Sequence, residues 1–127
     1  MFKALMTAVY PVKASQLADA REWYHRLIGL APYFDQPFYV GFNVAGYELG
    51  LHPKAEGEAD KQTTGSCAYW GVDSAQTHFE HALALGAEAI EAPHDVGGGI
   101  VVASVRDPFG NFFGLIENPH FPNTEGL

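Results

Sequence analysis

The chain has one cysteine, Cys67, in 127 residues. A single thiol makes no intrachain disulfide and no CxxC metal pair. Basic residues are scarce. Seven Lys and Arg stand against fifteen Asp and Glu, a formal net charge of −8. A nucleic-acid surface needs clustered Lys and Arg, and an anionic membrane attracts polybasic segments, so neither partner is expected. No apolar run approaches the roughly 18 residues of a membrane span. The start, MFKALMTAVYPVK, has neither signal-peptide architecture nor a small-residue cleavage site. The expectation is a cytoplasmic protein.

Aromatic residues are plentiful. Nine Phe, six Tyr and two Trp are too many for a disordered chain, and they suit a cavity for an apolar ligand. With 47% apolar and 17% charged residues, the composition is globular. The length suits one domain, residues 1–127, with a core that needs no staples.

The most informative feature is an echo. Gly46 to Pro53 reads GYELGLHP, and Gly110 to Glu117 reads GNFFGLIE. Both follow the frame G-x-x-x-G-L, each with a glycine inside a strand-like segment. The flanking patterns repeat too. ALMTAVYPV (4–12) reads as a strand ending near Pro11. Ser15 suits an N-cap, and Leu17, Ala20, Tyr24, Leu27 and Ile28 recur at helical spacing up to Gly29. FYVGFNV (38–44) and YELGL (47–51) read as strands around a turn at Gly46. In the second half SCAYWGV (66–72) is a strand. Asp73 or Ser74 caps a helix with Ala75, Phe79, Ala82 and Leu83 on one face, and Gly86 ends it. Glu88 to Ala92 suits a short strand, HDVGGG (94–99) a loop, GIVVASVRD (99–107) a strand, DPFGN a turn and NFFGLIE (111–117) the last strand. This is an internal duplication. The repeats span about 1–53 and 66–117, with a polar linker at about 53–65 and a tail at 118–127.

DVGGGIVVASVRDPFGNFFGLIE (95–117), REWYHRLIGL (21–30) and PYFDQPFYVGFNVAGYELGLHP (32–53) resemble the vicinal oxygen chelate superfamily. That superfamily includes glyoxalase, bleomycin-resistance proteins and extradiol dioxygenases. The resemblance covers nearly the whole chain, and R-D-P-x-G-N before a strand carries most of it. It implies an α+β fold with two βαβββ modules in one chain, forming a cup-shaped, partly open mixed sheet. It also implies a homodimer. Enzymes of the superfamily hold a divalent metal with His and Glu facing the cup. Matched residue by residue, the His positions fall on Thr7 and Cys67 and the Glu positions on Gly50 and Gly114. Only Cys67 is a potential ligand, and one thiolate does not make such a site. The expectation is therefore no metal and no cofactor.

Side chains two apart on a strand share a face. If position 50 faces the cup, Glu48 and His52 do too, as polar anchors or as an acid–base pair; the alternative is a solvated Glu and a His at the mouth. Leu49 and Leu51 then face the core. In the second half Phe112, Gly114 and Ile116 line the cup. Tyr69 either donates a hydrogen bond or packs. Cys67 reads as a buried small residue rather than a nucleophile. His78 and His81, three apart, read as outer-face residues rather than metal ligands. A metal site from His52, Glu48 and His94 is a further alternative. GGG (97–99) is no phosphate loop, since no helix follows it. Arg106 suits a pairing with Asp107 or an external carboxylate. The function expected is a metal-free protein that binds or sequesters an apolar or aromatic small molecule. Its ligand-binding residues would be Thr7, Glu48, His52, Cys67, Tyr69 and Phe112. The alternative is a divergent glyoxalase- or dioxygenase-like lyase or isomerase.

Overall fold

The computed structural model describes residues 1–54 and 67–120. Most of the linker expected at 53–65, residue Ser66 and the end of the tail lie outside them. Contacts divide the chain into two compact units. No helix is long and apolar enough to cross a membrane among the described residues.

The first unit contains β1 (Thr7–Lys13), a 3₁₀ turn (Ala14–Gln16), α1 (Leu17–Ile28), β2 (Phe34–Gln36), β3 (Tyr39–Val44) and β4 (Tyr47–Lys54). Its sheet runs in the order β1-β4-β3-β2, with β1 parallel to β4 and the other pairs antiparallel. Alternation along the strands sends Tyr10, Val12, Val40, Phe42, Leu49 and Leu51 to one side, where all six are buried. Leu17, Ala20, Trp23, Tyr24 and Leu27 of α1 are the buried helix positions. Tyr24 packs against Tyr10 at 5.9 Å between ring centroids and edge-on against Trp23 at 4.9 Å. Residues Phe109–Asn111 also belong to this unit. The Phe109 ring meets Trp23 edge-on at 6.3 Å, and Asn111 Nδ2 donates to the Pro11 carbonyl at 2.9 Å. The β3–β4 hairpin turns through Ala45 and Gly46, both at positive φ (53° and 93°), as a type I′ turn requires. Asn43 Oδ1 accepts the Gly46 N–H at 2.8 Å.

The second unit contains β5 (Tyr69–Gly71), α2 (Ala75–Ala84), β6 (Glu88–Asp95), β7 (Val101–Arg106) and β8 (Phe112–Glu117). Its order, β5-β8-β7-β6, repeats the first unit's topology strand for strand. Ala75, Phe79 and Ala82 of α2 are buried, as are Ala103, Val105, Phe113 and Leu115 of the sheet. Trp70 stacks on Phe113 at 6.3 Å. Ser74 caps α2: its Oγ accepts the Thr77 N–H at 3.1 Å. The Glu117 carboxylate accepts the Ala75 N–H at 3.0 Å, an anion at the same positive helix end.

These are two four-stranded mixed sheets, each with its own helix, in an α+β fold of two βαβββ modules. Several expectations change. Ser15 is not the cap of α1: it lies inside the 3₁₀ turn, and α1 starts after Gln16 with no side-chain cap. β1 does not end at Pro11 but runs to Lys13. Proline is tolerated there because β1 is an edge strand. β6 runs to Asp95, so His94 lies in a strand and not in a loop. β6 is likewise an edge strand, and its register shifts between Glu91 and His94, which accommodates Pro93.

Candidate functional site

The face of the first sheet opposite α1 carries the candidate site. Parallel pairing sets Thr7 beside Glu48, Val9 beside Gly50 and Pro11 beside His52. Antiparallel pairing sets Gly41 beside Gly50 and Asn43 beside Glu48. Residues paired directly share a face, so Glu48 stands at the edge of a floor made by two facing glycines. Two hydroxyls donate to its carboxylate. Tyr33 Oη donates to Oε2 at 2.7 Å, and Thr7 Oγ1 donates to Oε1 at 3.2 Å. The Tyr39 hydroxyl lies near the same carboxylate, which raises its pKa.

Both tyrosines register that carboxylate. The Tyr33 phenol is raised above its usual pKa by its hydrogen bond to Glu48, then by desolvation, then by the Glu48 charge. Burial first, and then the nearby Glu48 charge, push Tyr39 up to about 12. In each case ionisation would set a second negative charge against the carboxylate.

The glycines are explained by what covers them. A Cβ on Gly50 would overlap the Tyr39 hydroxyl and lie 2.6 Å from its Cζ. A Cβ on Gly41 would lie 2.5 Å from Glu48 Oε2 and 3.0 Å from Tyr33 Cε1. Around this floor stands a group of rings. Phe34 packs against Tyr33, Phe38 and Tyr39 with centroids 6.4, 5.8 and 6.2 Å apart. Tyr33 and Phe38 remain 62% and 63% exposed, which makes this face apolar and accessible at once.

The second sheet repeats the device with different chemistry. Tyr69 pairs with Gly114 as Val9 pairs with Gly50. The repeat offset is thus 60 on the first strands and 64 on the last. A Cβ on Gly114 would meet Tyr69 Cδ2 and the Ala68 carbonyl oxygen, each at 2.6 Å. Tyr69 packs edge-on against Phe112 at 5.9 Å. Its phenol is raised by burial, then by the nearby Glu91 and Cys67. Ser104, beside Gly114 on the same face, is fully buried, and its Oγ has no hydrogen-bond partner among the described residues.

The six sequence-predicted residues therefore separate. Thr7 and Glu48 come together, and so do Tyr69 and Phe112. His52 is exposed on the Glu48 face. Four residues of extended strand set the two Cα atoms about 13 Å apart, too far for a shared hydrogen bond. Cys67 is exposed, not buried, because β5 begins only at Tyr69. His78 is spent locally, with Nδ1 2.8 Å from the Ser74 carbonyl. His94 lies near Glu91 at 3.7 Å. Arg106 pairs across the strands with Glu88 at 3.6 Å.

Sequence reasoning missed Tyr33, Tyr39 and Phe34. It also missed a groove of about 440 Å³ on the helix side of the first sheet, lined by residues including Leu17, Arg21, Asp35 and Val40. The Arg21–Asp35 ion pair, at 3.3 Å, borders it.

Among the described residues, the positions of Thr7, Gly50, Tyr69 and Gly114 do not fit a divalent metal. Gly50 and Gly114 offer no donor, and tyrosine rings fill their side-chain space. Among the described residues no group of three His, Cys, Asp or Glu is placed to hold an ion.

No protein-family model and no curated protein matches the chain. Solved structures do. A glyoxalase-related enzyme from Fulvimarina pelagi superposes with a TM-score of 0.74 at 16% identity, over 93% of this chain and 90% of that one. A glyoxalase/bleomycin resistance protein/dioxygenase family enzyme from Burkholderia phytofirmans PsJN gives 0.73 at 16%, over 91% and 98%. A member of the same superfamily from Sphaerobacter thermophilus gives 0.72 at 18%, over 92% and 98%. The chain has the fold of the glyoxalase/bleomycin resistance protein/dioxygenase superfamily.

Proposed function

We propose that this chain binds or sequesters a small aromatic molecule without a metal, on the face of the first sheet opposite α1. One observation carries the reading. The space of a potential ligand side chain at Gly50 is taken by Tyr39, and the result is a hydroxyl-ringed carboxylate bordered by exposed rings. Apolar walls with a few convergent polar groups are the usual make-up of a small-molecule site. The acid–base alternative, through Glu48 and His52, lacks a shared hydrogen bond to support it.

The test is an amide-detected NMR titration of chelator-treated protein with small aromatic compounds. Saturable shifts at Gly41, Glu48 and Gly50 are expected, and Phe34→Ala should weaken them. Shifts confined elsewhere, or binding that appears only when a divalent metal is restored, would overturn the reading.

A further inference from the structure

The Glu48 carboxylate is half-buried, and its protein partners are all neutral. Thr7 and Tyr33 supply hydroxyl donors, and the neutral Tyr39 phenol lies nearby. Among the described residues no Lys or Arg forms an ion pair with it. Neutral hydroxyls orient a carboxylate without cancelling its charge. The adjoining rings add a field of the same sign, because an aromatic face is electronegative and attracts cations. Phe34 gathers Phe38, Tyr33 and Tyr39 around it within 6.4 Å, and Phe38 and Tyr33 are more than half exposed. The net charge of −8 acts in the same direction at long range. An anion entering here would meet all three terms as repulsion. A neutral ring would use only the aromatic surface.

We infer that this site selects organic cations: an ammonium group seated at Glu48, with its aromatic or alkyl body on Phe34 and Phe38. The inference rests on the proposed binding face and adds the charge of its occupant.

Three matched probes test it: 2-phenylethylammonium, 2-phenylethanol and 3-phenylpropionate, titrated separately by calorimetry and NMR. The cation should bind about tenfold more tightly than the alcohol, and the carboxylate most weakly. High ionic strength should narrow the gap between cation and alcohol. Glu48→Gln, which keeps an acceptor for Tyr33, should lower the cation's affinity toward that of the alcohol and so abolish the preference. The wild-type ranking needs no variant, and Phe38→Ala, at an exposed ring, provides a second perturbation that should weaken the cation. Equal binding of cation and alcohol at Glu48 would overturn the charge selection and leave the binding face standing. Tightest binding by the carboxylate would do the same. No binding by any probe would overturn both.

Discussion

A methyl group at Gly50 is expected to cost far less than one at Gly114, and for a reason that a second substitution exposes. In Gly50→Ala the new Cβ overlaps the Tyr39 hydroxyl and lies 2.6 Å from Cζ and 3.0 Å from Cε1. Ordinary carbon contacts lie near 3.5–4.0 Å, so the tip of the ring must move by roughly 1 Å. It can, because it is the far end of a side chain. Leaving its rotamer well costs about 1 kcal/mol. Moving its hydroxyl away from the Glu48 carboxylate costs about 1 kcal/mol more. Replacing glycine in a strand returns about 0.5–1 kcal/mol. The net destabilisation is about 1–1.5 kcal/mol. In Gly114→Ala the Cβ meets the base of the Tyr69 ring, 2.6 Å from Cδ2 and 2.8 Å from Cγ. It also meets the Ala68 carbonyl oxygen, which already accepts the Gly114 N–H at 3.0 Å. A ladder carbonyl cannot swing away, so the cost is about 3 kcal/mol or more.

The assay is urea unfolding followed by tryptophan fluorescence for each single and double variant. Tyr39→Ala should rescue Gly50→Ala with a coupling of about 1–2 kcal/mol. Tyr69→Ala should leave most of the Gly114→Ala penalty in place, because Ala68 remains. A Gly50→Ala protein as stable as wild type, with no coupling to Tyr39, would refute the packing account of that glycine. Full rescue of Gly114→Ala by Tyr69→Ala would refute the distinction between ring and backbone.

Three further outcomes are expected. Tyr39 ordinarily ionises at 10.0 and here at about 12; the stability this shift contributes is complete below about pH 10 and falls as pH rises toward 12, since the unfolded chain loses the proton first. A phenolate absorbance titration of Glu48→Gln should show Tyr33 and Tyr39 ionising at lower pH than in wild type, and unchanged curves would contradict the hydrogen bonds assigned to Glu48. Ser104→Ala should be neutral or stabilising by about 1 kcal/mol, because it removes a buried hydroxyl with no partner among the described residues; a loss of more than about 1 kcal/mol in urea denaturation would mean that the hydroxyl is satisfied.

The duplication was legible because it is written in period-2 strands and helix stops, which local sequence reports directly. Gly46 and Gly50 with Gly110 and Gly114 placed the repeat, and the observed registers preserve its offsets of 60 and 64. Proline misled the boundaries twice, at Pro11 and Pro93. A missing N–H stops a central strand but not an edge strand, and edge position is a property of the assembled sheet. The candidate site was half legible. Thr7 and Glu48 follow from strand alternation. Tyr33 reaches Glu48 only because β2, three residues long and polar in Asp35 and Gln36, folds back along β3. No periodicity marks so short a strand. A usable signal was present all the same: two glycines destined to face each other across β3 and β4, close to the run YFDQPFY (33–39). Bare glycine in a sheet leaves a gap that a neighbouring ring fills.

The same gap therefore has two solutions in one chain. Over Gly50 a tyrosine arrives tip first, from the neighbouring strand, and its hydroxyl ends at a carboxylate. Over Gly114 a tyrosine lies flat from the adjacent parallel strand, and its partner is the Phe112 ring. The position across the ladder follows suit. Beside Gly50 it is Gly41, whose lack of a side chain leaves space for Glu48 and Tyr33. Beside Gly114 it is Ser104, whose hydroxyl is buried without a partner among the described residues. Polar groups in the first unit are mutually satisfied and reach solvent, whereas in the second the serine hydroxyl on the floor is sealed off. A ligand that needs a charged or hydrogen-bonding anchor finds it on the first sheet. Exchanging the two floors, Gly41→Ser with Ser104→Gly, should abolish the NMR shifts that 2-phenylethylammonium causes there: the Cβ gained at position 41 would stand 2.5 Å from Glu48 Oε2 and displace the carboxylate from its hydroxyl donors. Undiminished binding by that double variant would mean that the ligand never depended on the Glu48 carboxylate.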